Sequence, residues 1–209
     1  MKLYFFPPSN NSRRAHAVAL HLGLPMDYVL VNLQAGEQRS PEFLALNPAG
    51  RVPVLQDGDF VLWESNAIAQ YLASQTTTSL WPNDDCLRAE IMGWQCWEMA
   101  HLAKATQPIQ FERFVKQVLN LGESNAQVIE RSLATFHKEV AILEAHLAAH
   151  PYLVNDELTI ADFSVASDFT YAVPCQFPMS DYPHTQAWYD RIEALPAWQQ
   201  TSPRVLVEA

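Results

Sequence analysis

The sequence predicts a two-part fold: a mixed α/β half over residues 1–75, a linker at 76–85, and an all-helical half over residues 86–209. Three observations carry this. Up to about Ser74, short aromatic or β-branched runs alternate with segments of helical period. A polar stretch then contains Thr76-Thr77-Thr78-Ser79 and Pro82. Beyond it, apolar residues recur at helical spacing, most clearly Ile129, Leu133, Phe136, Val140, Leu143 and Leu147.

Each element has a local reason. Lys2 to Phe6 is aromatic and stopped by Pro7-Pro8, so it reads as a strand. Ser12 to Leu22 carries Ala15, Val18, Ala19 and Leu22 on one helical face, and Gly23 ends it. Tyr28 to Asn32 reads as a strand, and Pro41 to Leu46 as a short helix stopped before Pro48. Val52 to Gln56, the turn pair Asp57-Gly58 and Phe60 to Trp63 form a hairpin. Ser65 to Ala73 follows as a helix with Ile68, Tyr71 and Leu72 on one face. A βαβ unit, a short helix, a hairpin and a closing helix make a small mixed sheet covered by helices. In the second half, Asp84 or Asp85 caps a helix that holds Leu87, Ile91 and Trp94. Pro151 ends the long helix, and Thr159-Ile160-Ala161-Asp162 has the form of a capping box. It opens a helix to about Tyr171, and His184 to Leu195 is a further helix ended before Pro196.

Composition removes several function classes. The chain has 13 basic and 23 acidic residues, a formal net charge of −10, which argues against a nucleic-acid partner and against an anionic membrane surface. With 49% hydrophobic and 17% charged residues it can bury a core. No run approaches the roughly 20 apolar residues of a membrane span, and the start of the chain meets Pro7-Pro8 too early for a signal peptide. Cys86, Cys96 and Cys175 have neither metal spacing nor a disulfide framework, so they are expected as buried apolar residues in a reducing cytoplasm. His146 and His150 lack an acidic third ligand in register, so no metal site is expected. Trp94, Trp97, Trp188 and Trp198 are expected in core or interface positions.

Three short segments have residue types suited to a polar ligand. Pro7-Pro8-Ser9-Asn10-Asn11-Ser12 joins a strand to a helix start, where a hydroxyl can donate to a thiolate; an ordinary N-cap is the other reading. In Arg51-Val52-Pro53-Val54, a cis Pro53 would turn the Val52 backbone outward to pair with an extended ligand; a trans proline at a strand entrance is the alternative. Glu64-Ser65-Asn66 lies at a strand-to-helix junction, where Glu64 suits an ammonium and Ser65 and Asn66 suit a carboxylate; a simple cap again competes.

In order along the chain, these segments resemble the cytosolic glutathione transferase family. The matching residues are Ser9 through Arg13, Pro41-Glu42-Phe43-Leu44, Asn47-Pro48-Ala49-Gly50-Arg51-Val52-Pro53-Val54-Leu55, Trp63-Glu64-Ser65-Asn66-Ala67-Ile68, Tyr71-Leu72, and Leu158-Thr159-Ile160-Ala161-Asp162-Phe163. The resemblance spans essentially the whole chain. It implies a thioredoxin-like glutathione-binding domain followed by a helical domain, with a cis Pro53. It also implies roles. Val52 pairs with the cysteinyl part of glutathione beside Pro53. Glu64, Ser65 and Asn66 hold the γ-glutamyl end, and Gln38 and Arg51 lie near the glycyl end. Ser9 faces the thiol, with Asn11 and Ser12 as competitors for that contact.

The implied activity is transfer of the glutathione thiolate to small hydrophobic electrophiles, in detoxification, by a cytoplasmic homodimer without metal. Glutathione-dependent isomerisation, peroxide reduction or dehalogenation on the same fold is an alternative, as is a non-catalytic binding or regulatory protein. The electrophile is placed near Trp97, His101, Pro108 and Phe111. Several departures refine the picture. Tyr4 lies within the first strand, which favours a serine-type enzyme of the bacterial, theta/delta-like kind. No cysteine stands at Ser9 or Ser12, which disfavours disulfide reduction. Gln38 and Gly50 stand where several serine-type relatives carry histidine, and Asn66 where they carry arginine.

Overall fold

The structure, a computed structural model, describes residues 1–203. The chain divides into two compact units, Met1–Pro82 with the described residues from Ala194 on, and Asn83–Glu193. The first unit contains β1 (Lys2–Phe5), α1 (Asn10–His21), β2 (Asp27–Leu30), α2 (Pro41–Leu46), β3 (Val54–Asp57), β4 (Phe60–Trp63) and α3 (Ser65–Ser74), in the expected order. The sheet order is β2-β1-β3-β4, with β1 and β2 parallel and the other pairs antiparallel. This is the expected thioredoxin-like α/β arrangement.

Strand alternation assigns the two faces of the sheet. Leu3 pairs with Leu55, which pairs with Leu62, and Leu3 and Leu55 are fully buried. On this face Phe5 meets His16 of α1, and Phe60 meets Tyr71 of α3. α1 and α3 pack on each other through Ala15, Val18, Ala19, Ile68, Ala69 and Leu72. On the opposite face Tyr4, Phe6, Val54 and Val61 form a second cluster with Val31, Val52 and Phe43 of α2. The Tyr4 hydroxyl donates to Gln56 Oε1 at 3.0 Å, so this phenol is engaged within the sheet.

The second unit contains α4 (Asp85–Trp97), α5 (Ala103–Gln110), α6 (Lys116–Val118), α7 (Ala126–Leu147), α8 (Ile160–Ser167) and α9 (Pro183–Glu193). Asp84 caps α4, its carboxylate accepting from Leu87 N. π-type turns at Glu98–Leu102 and Phe111–Val115 join α4 to α5 and α5 to α6. They flank Pro108, which supplies no N–H to the helical ladder. The expected stripe on α7 packs as read: Phe136, Val140, Leu143 and Leu147 are buried. Ile91, Leu102, Ile109, Phe163, Phe169 and Trp188 are also fully buried in this unit, and Phe169 meets Phe136 edge-on. Three expectations need correction. The helix expected to reach about Tyr171 ends at Ser167. Pro196 is not only a stop: it is the first residue of α10 (Pro196–Gln200), which packs against α1 in the first unit. Cys175 is buried, but Cys86 and Cys96 are exposed, because their positions on α4 lie away from its apolar stripe.

The capping box at α8 is completed by a buried carboxylate. Asp162 Oδ2 accepts from Thr159 N at 2.8 Å and Thr159 Oγ1 at 3.2 Å; Oδ1 accepts from Leu153 N at 3.1 Å and Trp188 Nε1 at 2.9 Å. Burial outweighs these donors and pushes the carboxyl up to about 6. Asp162→Ala leaves three N–H groups of Leu153, Thr159 and Trp188 unsatisfied in the core. It should lower unfolding free energy by at least about 3 kcal/mol in a denaturant titration near neutral pH. A loss well under about 1 kcal/mol contradicts this role.

His16, packed between Phe5 and Tyr28, is held neutral by burial, its pKa pushed down to about 4. The unfolded imidazole titrates near 6.5, so its contribution to stability is complete above that pH and is lost as pH falls toward 4. The stability difference between wild type and His16→Phe should therefore shrink by at most about 3 kcal/mol across that interval. A difference that does not change with pH contradicts the assignment.

Candidate functional site

Within the first unit a cleft is lined by Asn11, Asn47, Arg51, Val52, Pro53, Glu64 and Ser65. Six of these were expected from the sequence. The cleft lies where α1, the loop before β3 and the start of α3 converge. Its base is the Asn47–Pro53 loop. Asn47, 2% exposed, donates from Nδ2 to Arg51 O at 2.8 Å and accepts Ala49 N on Oδ1 at 3.0 Å. Gly50 has φ 60°, and a Cβ there would stand 3.1 Å from Gln38 O. Glycine thus lets the loop pass close beside the Gln38 backbone. The Val52–Pro53 peptide is cis. Arg51 is exposed, and its guanidinium has no partner among the described residues. Gln38 lies on a 3₁₀ turn (Glu37–Arg39) and donates from Nε2 to Leu33 O at 3.4 Å.

The second wall is the junction of β4 and α3. Glu64 has φ 75° and ψ 113°, in the left-handed half of backbone space. It stands as N-cap of α3, yet its side chain makes no capping bond. The exposed carboxylate is thereby left at the cleft, and the first N–H groups of α3 lack the usual side-chain acceptor. Ser65 and Asn66, the first two residues of α3, are buried. Ser65 donates from Oγ to Asn11 Oδ1 at 3.3 Å. Arg14 Nη1 donates to Ser65 Oγ at 3.2 Å and to Asn66 Oδ1 at 2.7 Å.

The three residues that compete for a thiol contact have different environments. Ser9 is the N-cap of α1: its Oγ accepts Ser12 N at 3.3 Å, and the residue is half-buried. Ser12 is fully buried, and its Oγ accepts Phe6 N at 3.2 Å. Asn11 is exposed and accepts from Ser65. Ser9 is not among the residues lining the cleft; it lies two positions before Asn11, which is.

The four residues expected around an electrophile, Trp97, His101, Pro108 and Phe111, lie along α4, α5 and the π-type turns that join and follow them. Trp97 Nε1 donates to Glu139 Oε2 of α7 at 3.2 Å, and the ring packs edge-on against Trp94. Pro108 borders a separate groove between α5 and α7, with Lys104, Val128, Arg131 and Ser132. His101 and Phe111 are exposed. Lys116 lies over the Phe111 ring. Among the described residues no group of three or more His, Cys, Asp or Glu is arranged to hold a metal ion. No helix among them is long and apolar enough to cross a membrane.

Two residues of the site were missed in the sequence. Asn47 stood in the sequence only as part of the Asn47–Leu55 segment that resembles the family, and its cleft-lining role follows from the loop it ties together. Arg14 drew no reading from the sequence; it sits beside Arg13 on α1, and both are buried.

Comparison with known proteins identifies the family. Residues 1–74 match the family model "Glutathione S-transferase, N-terminal domain", and residues 126–191 match "Glutathione S-transferase, C-terminal domain". The chain is 38% identical to glutathione S-transferase 3 of Zea mays over 210 residues, covering 96% of this chain and 92% of the relative. A theta class glutathione S-transferase from Xanthomonas axonopodis pv. citri, solved with glutathione bound, superposes with a TM-score of 0.89 at 30% identity, covering 96% of each chain. Glutathione S-transferase-I bound with lactoylglutathione superposes with a TM-score of 0.88 at 31% identity, covering 96% of this chain and 97% of that one. Relatives from plants and bacteria match alike, so the narrower theta/delta-like assignment is not carried by these likenesses. This chain belongs to the glutathione S-transferase family.

Proposed function

We propose that this protein transfers the glutathione thiolate to small hydrophobic electrophiles. The observation that carries the reading is the charge order along the cleft, which matches an extended γ-glutamyl-cysteinyl-glycine. Glu64 offers an anion to the γ-glutamyl ammonium. The Ser65 hydroxyl and the open start of α3 suit its α-carboxylate, with Asn66 behind them. The Val52 backbone beside Pro53 pairs with the cysteinyl unit. Arg51, without an internal partner, takes the glycyl carboxylate, with Gln38 nearby.

Ser9 is the residue proposed to act on sulfur. One lone pair of its hydroxyl is used by Ser12 N, which leaves the O–H proton to donate. Ser12 is fully buried, so it is less suited to that contact; Asn11 lines the cleft and uses only its Oδ1 toward Ser65, so it is the competitor that the variants below separate from Ser9. A free thiol has a pKa near 8.5, so only a few per cent is ionised at neutral pH. A hydroxyl donor beside a helix start favours the anion, and one charge-assisted hydrogen bond of about 1.5–3 kcal/mol lowers the pKa by about one to two units. Ser9 thus stabilises the thiolate and is not itself a nucleophile. The thiolate sulfur forms the new bond to the electrophilic carbon, the leaving group departs with its electron pair, and the thiol proton is released to solvent. His101 and Phe111, the exposed pair of the expected set, are proposed on the electrophile side. We further propose a homodimer acting in the cytoplasm. Family likeness and the frequency of two-fold dimers support the first, and the free Cys86 and Cys96 support the second.

Ser9→Ala should lower kcat at about pH 7 by roughly 10- to 100-fold while changing KM for glutathione little. The deficit should close as pH rises past about 8.5, where the thiolate forms unaided. A deficit that persists unchanged at high pH, or one that follows Asn11→Ala or Ser12→Ala instead, moves the role away from Ser9. Ser65→Ala should weaken glutathione binding by about 1–3 kcal/mol in calorimetry. An unchanged Kd removes Ser65 from the site.

A further inference from the structure

Two adjacent arginines lie on the first turns of α1, and their side chains have different surroundings. Arg13 lies over the Trp198 ring at 4.0 Å and donates to Trp198 O at 3.2 Å, an α1-to-α10 contact. Arg14 runs the other way, to α3. It is 2% exposed, and one of its terminal nitrogens reaches both Ser65 Oγ and Asn66 Oδ1. Ser65 lines the cleft and Arg14 does not, so Arg14 stands behind the cleft wall and meets it at Ser65.

A serine hydroxyl has one proton and two lone pairs. When an arginine N–H occupies a lone pair from inside the protein, the proton is directed outward. Here it goes to Asn11 Oδ1, a neutral acceptor at the long distance of 3.3 Å. A carboxylate is a stronger acceptor and takes that proton in preference. The same arginine fixes the Asn66 amide, whose Oδ1 is held at 2.7 Å and whose Nδ2 is therefore the donor on the other edge. A guanidinium is charged at every working pH, so the polarity behind Ser65 does not vary. Glu64 adds no capping acceptor that would compete for the first donors of α3.

We propose that Arg14 is a positioning residue for the α-carboxylate of the γ-glutamyl group, orienting the Ser65 hydroxyl as a donor into the cleft and placing a buried positive charge behind it. The inference rests on the placement of that carboxylate at Ser65 proposed above. It assigns to Arg14 a part in ligand discrimination, beyond the packing of α1 on α3.

The test compares two ligands that differ by that carboxylate alone: glutathione and γ-aminobutyryl-cysteinyl-glycine, which keeps the ammonium, thiol and glycyl end. Their Kd values are measured by calorimetry on wild type, Arg14→Gln, Arg14→Lys, Ser65→Ala and the double variant Arg14→Lys with Ser65→Ala. Wild type should prefer glutathione by more than roughly 10-fold, the worth of a charge-assisted hydrogen bond. Arg14→Gln should erase roughly 10-fold of that preference while leaving the affinity for the truncated ligand nearly unchanged, and Arg14→Lys should lose less. Equal weakening of both ligands overturns the proposal, because a merely structural arginine acts on the whole site. If Arg14→Gln does not fold, the cycle of Arg14→Lys with Ser65→Ala decides. Loss of preference in the double variant no greater than in Ser65→Ala supports action through Ser65, and additive losses overturn it. A wild type that binds both ligands equally removes the carboxylate from Ser65, and the role of Arg14 falls with it.

Discussion

The backbone of Glu64 sets the geometry of the whole cleft. At φ 75° and ψ 113° it occupies a region that non-glycine residues enter at a cost of order 1–3 kcal/mol. The turn ends β4 and starts α3 within one residue. It also leaves the Glu64 side chain at the cleft instead of folding it back over the helix start. A helix whose N-cap side chain declines to cap keeps its first donors and the positive end of its dipole available for an outside anion. An acid and an anion-attracting helix start are thereby held side by side, a pairing suited to the α-amino acid end of a peptide.

Two buried polar side chains, Asn47 and Arg14, support that arrangement through hydrogen bonds of their own. Asn47 closes its own loop with both ends of its amide, which holds Arg51 and Val52 against the cleft. Gly50 allows that loop to run beside Gln38 without a collision. Arg14 brings a charge into the interior and donates to Ser65 and Asn66. The helical unit follows the same rule with the opposite sign. Asp162 is a buried acid that four donors surround, and it ties the start of α8 to Leu153 and to Trp188 of α9. In a protein with a net charge of −10, Arg14 and Asp162 are thus interior charges on which several partners converge.

The elements most legible in the sequence are those whose signal is local. The β1–α1–β2 unit, the Asp57-Gly58 hairpin, the α7 stripe and the α8 capping box follow from periodicity, turn chemistry and caps. What the sequence hides depends on long-range packing. Pro196 reads as a stop, yet it opens α10, because proline suits the first turn of a helix as well as its end. The burial of Arg13 and Arg14 has no local signal, and only the approach of α10 and α3 to α1 explains it. The hydrogen bond from Trp97 to Glu139 of α7 is also a long-range contact that no local pattern announces. Burial of Cys175 alone among the cysteines likewise depends on which helix face meets a neighbour.

The central claim is that this cleft activates the glutathione sulfur, and the most direct measurement is the ultraviolet thiolate absorbance of the wild-type complex followed across pH. The account predicts that the bound thiol titrates at least about one unit below the free value near 8.5, with the absorbance absent when S-methylglutathione fills the site. A bound thiol that titrates at the free value, in a complex shown by calorimetry to be saturated, would contradict it.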